Sequence, residues 1–408
     1  MTVKHRHVRY HALPKQHRFG TWFMRSTAIV ASVVIGGSIF LWRHLAHSPA
    51  LPSSPSKRQV NSRAVNGATG RYMFNGTIYW ARAIEKWATR QDGSIDYAQP
   101  FSGLDTFRRE AYDAWVADLE CPVTDKLVPY DEQISSLVFN CRPSFLPFAT
   151  KYFNIIDLAN NHTDNKGREG LEETRQSLQK AGVQYFGDYD PAQVNNTCEV
   201  VALPIKVKVG AVKQDGKLPV AFCAWHYFYR LPQPGEIERM KEYAAIMPVF
   251  AFVHMGAEYH PKADAFQRQV AEEVTANGPA FLIMNNPHWV QDSDVINNKL
   301  VLFSTGNFIF DQPGEIETTR SASLDVTINV QAQAGLDKWL KLGESCGAYH
   351  DDCLKRAEEQ KLPRLKLGYS FDIVAGDATD RITKKGNDAV QAWIKNRLDW
   401  QNTINKLR

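Results

Sequence analysis

Residues 153–163 read F-N-I-I-D-L-A-N-N-H-T. A short β-branched and aliphatic run passes directly into Asn160, Asn161 and His162. Apolar runs of this length, bounded by turn-forming residues, predict buried strands. The same grammar recurs four times: Asp118-Leu119-Glu120 follows WVA, His254-Met255-Gly256-Ala257-Glu258 follows VFAFV, Asn286-Pro287-His288 follows FLIM, and Gly306-Asn307-Phe308 follows LVLFS. One such cluster is ordinary turn chemistry, because Asn, Asp and Gly end strands in many proteins. Five, holding three histidines and two glutamates, predict one site at the carboxyl edge of an open α/β sheet, where ligands bind in such folds.

The runs predicted as strands are 72–74, 114–118, 136–140 (SLVFN), 154–159, 219–225, 248–253, 280–284, 299–304 and 323–330. Amphipathic stretches at 170–182 and 263–278 predict helices, the second with Phe266, Val270 and Val274 on its buried face. A further strand at 369–376 and one terminal helix over residues 387–407 complete the reading. At 408 residues, with 44% hydrophobic and 23% charged side chains, the chain is a packed globular protein with appendages.

The net charge of +4 hides an asymmetry. No Asp or Glu precedes Glu85, whereas residues 1–84 hold twelve Lys and Arg, which leaves residues 85–408 at −8. Residues 26–42, STAIVASVVIGGSIFLW, are free of charge and as a helix would span roughly 25 Å, near the lower limit for a bilayer crossing. Six Lys and Arg precede the run, so the positive-inside rule keeps the N-terminus cytoplasmic and exports the body. A cleaved signal peptide would also export it, but Arg43 directly after the run and Pro49 favour an uncleaved anchor. The organisation expected is a basic cytoplasmic segment (1–25), a single-pass anchor in the cell membrane (26–43), a Ser/Pro-rich linker (44–70), an extracytoplasmic α/β domain (71–312), and a C-terminal completion of that fold with a variable tail (313–408). The basic segment next to an apolar helix is explained by lipid headgroups and not by nucleic acid.

Six cysteines in an oxidising compartment permit disulfides. Cys346 and Cys353 are the pair expected, and Cys223 within VAFCAW is expected as a packed thiol. Gly343-Glu344-Ser345-Cys346-Gly347 matches a nucleophile-elbow pattern but follows no strand and precedes no suitable His, so it is set aside.

His, Asn and Glu at one sheet edge are the ligand set of hydrolytic divalent-metal sites. On that chemistry His254, His288, Asn160 and Asn161 are the candidate metal ligands. His162, Glu120 and Glu258 are the candidate proton carriers or bases, and Asn286, Asn307 and Arg82 the candidate substrate contacts.

The series VADLECPVTD (116–125), FNIIDLANNHT (153–163), KAGVQYFG (180–187), HMGAEY (254–259), PH (287–288) and STGNF (304–308) resembles the CapA-type poly-γ-glutamate capsule biosynthesis family. The resemblance runs from about Arg71 to Asp311. It implies an exported domain similar to the calcineurin-like metallophosphatases, preceded here by a single transmembrane helix. It also implies a role in the synthesis, export or retention of an anionic capsule polymer, with that polymer, the membrane and other capsule proteins as partners. Two departures fall on expected ligands: the family's Gly-Asp stands here as Gly76-Thr77, and its Gly-His-His-Pro-His as Met284-Asn285-Asn286-Pro287-His288. With Thr77, Asn285 and Asn286 in those places, a two-metal site is not expected, and at most one divalent ion (Mn, Zn or Fe) is. Two functions follow: a weakly catalytic or non-catalytic assembly factor whose cleft binds polymer or partner, and a metal-dependent hydrolase (phosphoesterase or γ-glutamyl amidohydrolase) acting on an envelope polymer.

Overall fold

The computed structural model describes residues 65–187, 197–228, 231–232, 235–347 and 352–407, all of them within one compact unit, Asn61–Arg408. The basic segment, the anchor expected at 26–43 and most of the linker lie outside the described residues. Among the described residues no helix is long and apolar enough to cross a membrane.

The strands are β1 (Val65–Ile78), β2 (Ala114–Leu119), β3 (Ile155–Asp157), β4 (Gln184–Phe186), β5 (Cys198–Val209), β6 (Val212–His226), β7 (Val249–His254), β8 (Phe281–Asn285), β9 (Ser293–Ile296), β10 (Lys299–Leu302), β11 (Asn307–Ile309), β12 (Arg320–Gln331), β13 (Gly368–Asp377) and β14 (Lys384–Lys385). The helices are α1 (Arg82–Ala88), α2 (Tyr130–Ser136), α3 (Leu146–Ala149), α4 (Gly167–Lys180), α5 (Met240–Ile246), α6 (Ala265–Ala276), α7 (Leu336–Gly343), α8 (Asp352–Glu359), α9 (Asp388–Arg397) and α10 (Trp400–Leu407).

β1 belongs to two layers. Its first half pairs antiparallel with β5 and β12; its second half runs parallel to β2 and β11. The change of partners falls at Asn75-Gly76, where the register shifts between Phe74 and Thr77. A Cβ on Gly76 would lie 2.0 Å from the Gly306 carbonyl oxygen, so only glycine lets β1 approach the loop after β10 there. One layer then reads β4-β3-β2-β1, the other β14-β13-β12-β1-β5-β6-β7-β8-β10-β9.

The layers meet through aromatic side chains. Phe186 of β4 packs on Phe222 of β6 and Phe252 of β7 at ring-centroid distances of 4.9 and 4.7 Å, and Phe74 packs on Phe281 at 5.2 Å. Strands β7 and β8 are buried along their whole length, as parallel strands covered on both faces must be. Because β1, β2, β3 and β4 run parallel in one layer, and β6, β7, β8 and β10 in the other, their carboxyl ends gather at one edge in each.

Four expectations are corrected. Residues 136–140 form no strand: α2 ends at Leu137 in the left-handed region (φ 55°), and the chain then runs as a loop to Cys141. In α6 the buried face is Val270, Ala271 and Val274, while Phe266 is 52% exposed and touches Tyr227 edge-on. The terminal helix is two helices, because Asp399 turns left-handed (φ 52°) and the Leu398 carbonyl accepts from Ser293 instead of continuing the helix. Cys223 is no free thiol but is bonded to Cys198 on the paired strand, alongside the disulfides Cys121–Cys141 and Cys346–Cys353.

Candidate functional site

β1 and β2 lie in register with Thr77 opposite Asp118. The Thr77 hydroxyl donates to Asp118 Oδ2 at 3.1 Å, Asn160 Nδ2 donates to Asp118 Oδ1 at 2.9 Å, and His254 Nδ1 donates to Asp118 Oδ2 at 3.0 Å. Asp118 is buried, and three donors from β1, β7 and the loop after β3 meet its charge. Asp118 was visible in the sequence as the start of Asp-Leu-Glu, but nothing there distinguished it from its neighbour Glu120.

All three candidate histidines reach this edge, and each is oriented in the same way. His254 Nδ1 faces Asp118, His162 Nδ1 faces Asn165 Oδ1 at 2.9 Å, and His288 Nδ1 faces Asn307 Oδ1 at 2.8 Å. Carboxylate and amide oxygens only accept, so Nδ1 carries a proton in each ring. The Nε2 atoms point at carboxyls: His162 and His254 lie 3.8 and 4.0 Å from Glu120 Oε1, and His288 lies 4.0 Å from Glu258 Oε1. Burial, which penalises the charged ring, lowers the pKa of His162 and His288 to about 4, so both are neutral near pH 7. Burial pushes Glu120 well above the ordinary carboxylate range, and the nearby charges of Asp118 and Glu258 push the same way. Glu258 is raised too, again chiefly by burial.

Arg82 stands at the mouth in a left-handed conformation (φ 44°). Its Nη2 bonds Asp311 Oδ1 at 2.6 Å, its Nε donates to the Tyr79 hydroxyl at 2.8 Å, and its guanidinium lies 4.3 Å over the Phe139 ring. Phe139 also stacks on His162 at 4.1 Å. A charged group so held is preorganised and loses little freedom when it meets an anion.

The candidate side chains differ in what they have spent. Asn160 Oδ1 accepts from His162 N, Thr163 N and the Thr163 hydroxyl, which occupies its lone pairs. The Asn307 oxygen faces His288 and its amide donates to Gln312 and Thr318. Asn286 spends its amide on the Gly256 carbonyl at 2.6 Å but keeps Oδ1 unpartnered. Asn161 Oδ1, Glu120 Oε2 and His254 Nε2 are likewise buried without a partner. His226, at the end of β6 and in register with His254, is a strand-end histidine that the sequence reading missed. It directly follows Trp225, where the predicted strand stopped.

The expected divalent ion does not fit these residues as placed. Asp118 and Asn160 are spent on hydrogen bonds, and Asn285 Oδ1 accepts from the Thr305 hydroxyl at 2.5 Å. His162 Nε2 and His254 Nε2 stand 3.8 and 4.0 Å from Glu120 Oε1, wider than the roughly 3.4 Å between ligands tetrahedrally placed about 2.1 Å from one ion. Among the described residues no three His, Cys, Asp or Glu side chains form a group that could hold a metal ion.

Residues 69–312 match the family described as bacterial capsule synthesis protein PGA_cap. The chain belongs to that family. Its match covers every strand end described above and stops before the C-terminal strands and helices. Among curated relatives, the PGA biosynthesis protein CapA of Bacillus subtilis (strain 168) is 28% identical over 288 residues, which is 67% of this chain and 69% of the relative. The capsule biosynthesis protein CapA of Bacillus anthracis is 26% identical over 198 residues, 45% of this chain and 46% of the relative, so the chain spans less than half the length of that one. Among solved structures, the calcineurin-like phosphoesterase YfkN from Bacillus subtilis aligns with 84% of this chain and 99% of its own, at 11% identity and a TM-score of 0.40, too low to carry an argument about fold or chemistry.

Proposed function

We propose that this family member acts in capsule polymer biosynthesis, export or retention, held outside the cell by its N-terminal apolar segment, with a strand-end cleft that binds a segment of an acidic, amide-linked polymer. The observation that carries the reading is the set of unpartnered buried acceptors, Glu120 Oε2, His254 Nε2, Asn161 Oδ1 and Asn286 Oδ1, close to one preorganised cation, Arg82. Buried acceptors left unpaired cost about 1–3 kcal/mol each, so the site favours a ligand that donates protons to them. A polymer linked through amides offers one N–H per residue, and its carboxylates suit the Arg82 guanidinium. The names of the Bacillus relatives point to the same class of polymer.

The second reading is the metal-dependent hydrolase, which would require Glu120, His162 and His254 to move from the places they hold here to meet an ion. Chelator treatment of purified full-length protein separates the two. Undiminished affinity for poly-γ-glutamate in metal-stripped protein supports the binding reading. Stoichiometric Mn, Zn or Fe, with polymer cleavage abolished by His254→Ala, overturns it in favour of the hydrolase.

A further inference from the structure

A second place for an anion lies outside the matched residues 69–312, between α7 and α8. Helix α7 buries Leu336, Trp339 and Leu340 and turns Lys338 and Lys341 outward; α8 buries Cys353 and Ala357 and turns Arg356 toward them. The Cys346–Cys353 disulfide ties the two helices together at one end. Between them is a cavity of about 480 Å³ lined by Lys338, Lys341, Leu342, Ser345, Arg356 and Gln360, with no carboxylate among the described residues of its wall.

Arg356 is fixed there. Its Nη2 donates to the Ser345 hydroxyl at 2.6 Å and its Nη1 to the Ser345 carbonyl at 3.2 Å, and its one ion pair, with the 59% exposed Asp352, is long at 3.9 Å. Neither Lys338 nor Lys341 forms an ion pair with a described residue. Lys338, Lys341 and Arg356 line one groove, and an anion between like charges relieves their repulsion. The contrast with residues 85–408 as a whole, at −8, makes this a local reversal of the field.

The shape selects the ligand further. From Lys338 to Gly343 the helix rises about 7.5 Å, so the groove is long enough for a short run of an extended chain and not for one small ion alone. A single phosphate would leave most of it empty. A membrane surface would meet a convex patch and not a concave one.

We propose that the α7–α8 groove is a second polymer-binding site, which takes a short run of carboxylates on Lys338, Lys341 and Arg356. It rests on the reading of this protein as a handler of an acidic polymer. With the cleft around Arg82 it makes two points of attachment on one strand, which raises avidity without any new contact at either.

The test is a titration of the full-length protein with labelled oligo-γ-glutamate at two salt concentrations. Lys338→Glu with Lys341→Glu is expected to weaken binding at least about tenfold and to flatten the salt dependence. The milder Lys338→Gln with Lys341→Gln gives a smaller loss in the same direction, with an unchanged melting temperature as the check on folding. Unchanged affinity in both double variants overturns the groove, and if Arg82→Ala still weakens binding, the cleft reading survives alone. Loss in the groove variants with none in Arg82→Ala keeps the groove and removes the cleft. No binding by the natural protein removes both. Binding to phosphatidylglycerol vesicles or to inorganic phosphate, in place of the oligomer and lost in the same variants, overturns the polymer as occupant.

Discussion

At the residue scale the site is a set of opposed titrations. His162 and His288 have pKa values of about 4 against an ordinary 6.5, because burial disfavours the imidazolium. As pH falls from 6.5 to 4 the unfolded chain takes up protons that the folded one refuses. Stability is therefore full above 6.5 and drains across that window, by about 3 kcal/mol per histidine. Glu120 has the opposite sign: its folded pKa is raised, so its contribution is present below 4.5 and is lost as pH rises through the folded value. Glu120→Gln removes the cost of a buried charge and is expected to raise the melting temperature at pH 7 while leaving it unchanged near pH 4. Thermal denaturation over pH 4–8 checks both, and a Gln variant less stable at pH 7 would show that the carboxylate is paired there. The three donors on Asp118 also predict that Asp118→Asn loosens His254, since an amide cannot accept through both of its ends.

At the scale of elements the device is the loop between β2 and β3. Glu120 immediately precedes Cys121, and Cys121 is bonded to Cys141, two residues after Phe139. Asn165 Oδ1 accepts from Phe139 N at 2.8 Å and faces His162 Nδ1, so one amide oxygen registers this loop against the histidine. Between the cysteines, Leu127, Tyr130, Ile134 and Leu137 are exposed, so little packing holds the segment apart from its covalent closure. Cys121→Ser with Cys141→Ser is expected to cost roughly 3 kcal/mol and to open residues 126–138 to protease. Urea denaturation and limited proteolysis of the double variant measure these; a variant as stable and as resistant as the natural chain would show that packing alone suffices.

At the scale of the whole molecule, charge is segregated along the chain. Twelve cations precede Glu85, and the remainder is acidic. A body at −8 repels a polyanion at long range, so on the proposed reading capture rests on local cations, Arg82 in the cleft and the α7–α8 groove, and weakens as salt screens those contacts. The anchor reading predicts that full-length protein sediments with membranes, withstands a high-salt wash, and yields its body to protease added outside intact cells. Release by salt alone would reduce the attachment to electrostatics between the basic segment and lipid.

The amino-acid sequence by itself determined the α/β class, the parallel direction implied by apolar runs ending in polar clusters, and the gathering of His162, His254 and His288 at one edge. These follow from local period and from the geometry of parallel strands, which the chain carries residue by residue. Tertiary structure alone decided which groups remain free to act. The Asn160 oxygen is occupied by His162 and Thr163 and the Asn307 oxygen by His288, and Asp118 meets the Thr77 hydroxyl because β1 and β2 align in register. Residues 136–140 read as a strand by composition, yet the Cys121–Cys141 closure and the left-handed Leu137 made them a loop. For Asn307 and Asp118 the physical reason is that an oxygen has two lone pairs, and whether they are spent depends on donors from other segments, which no local pattern records.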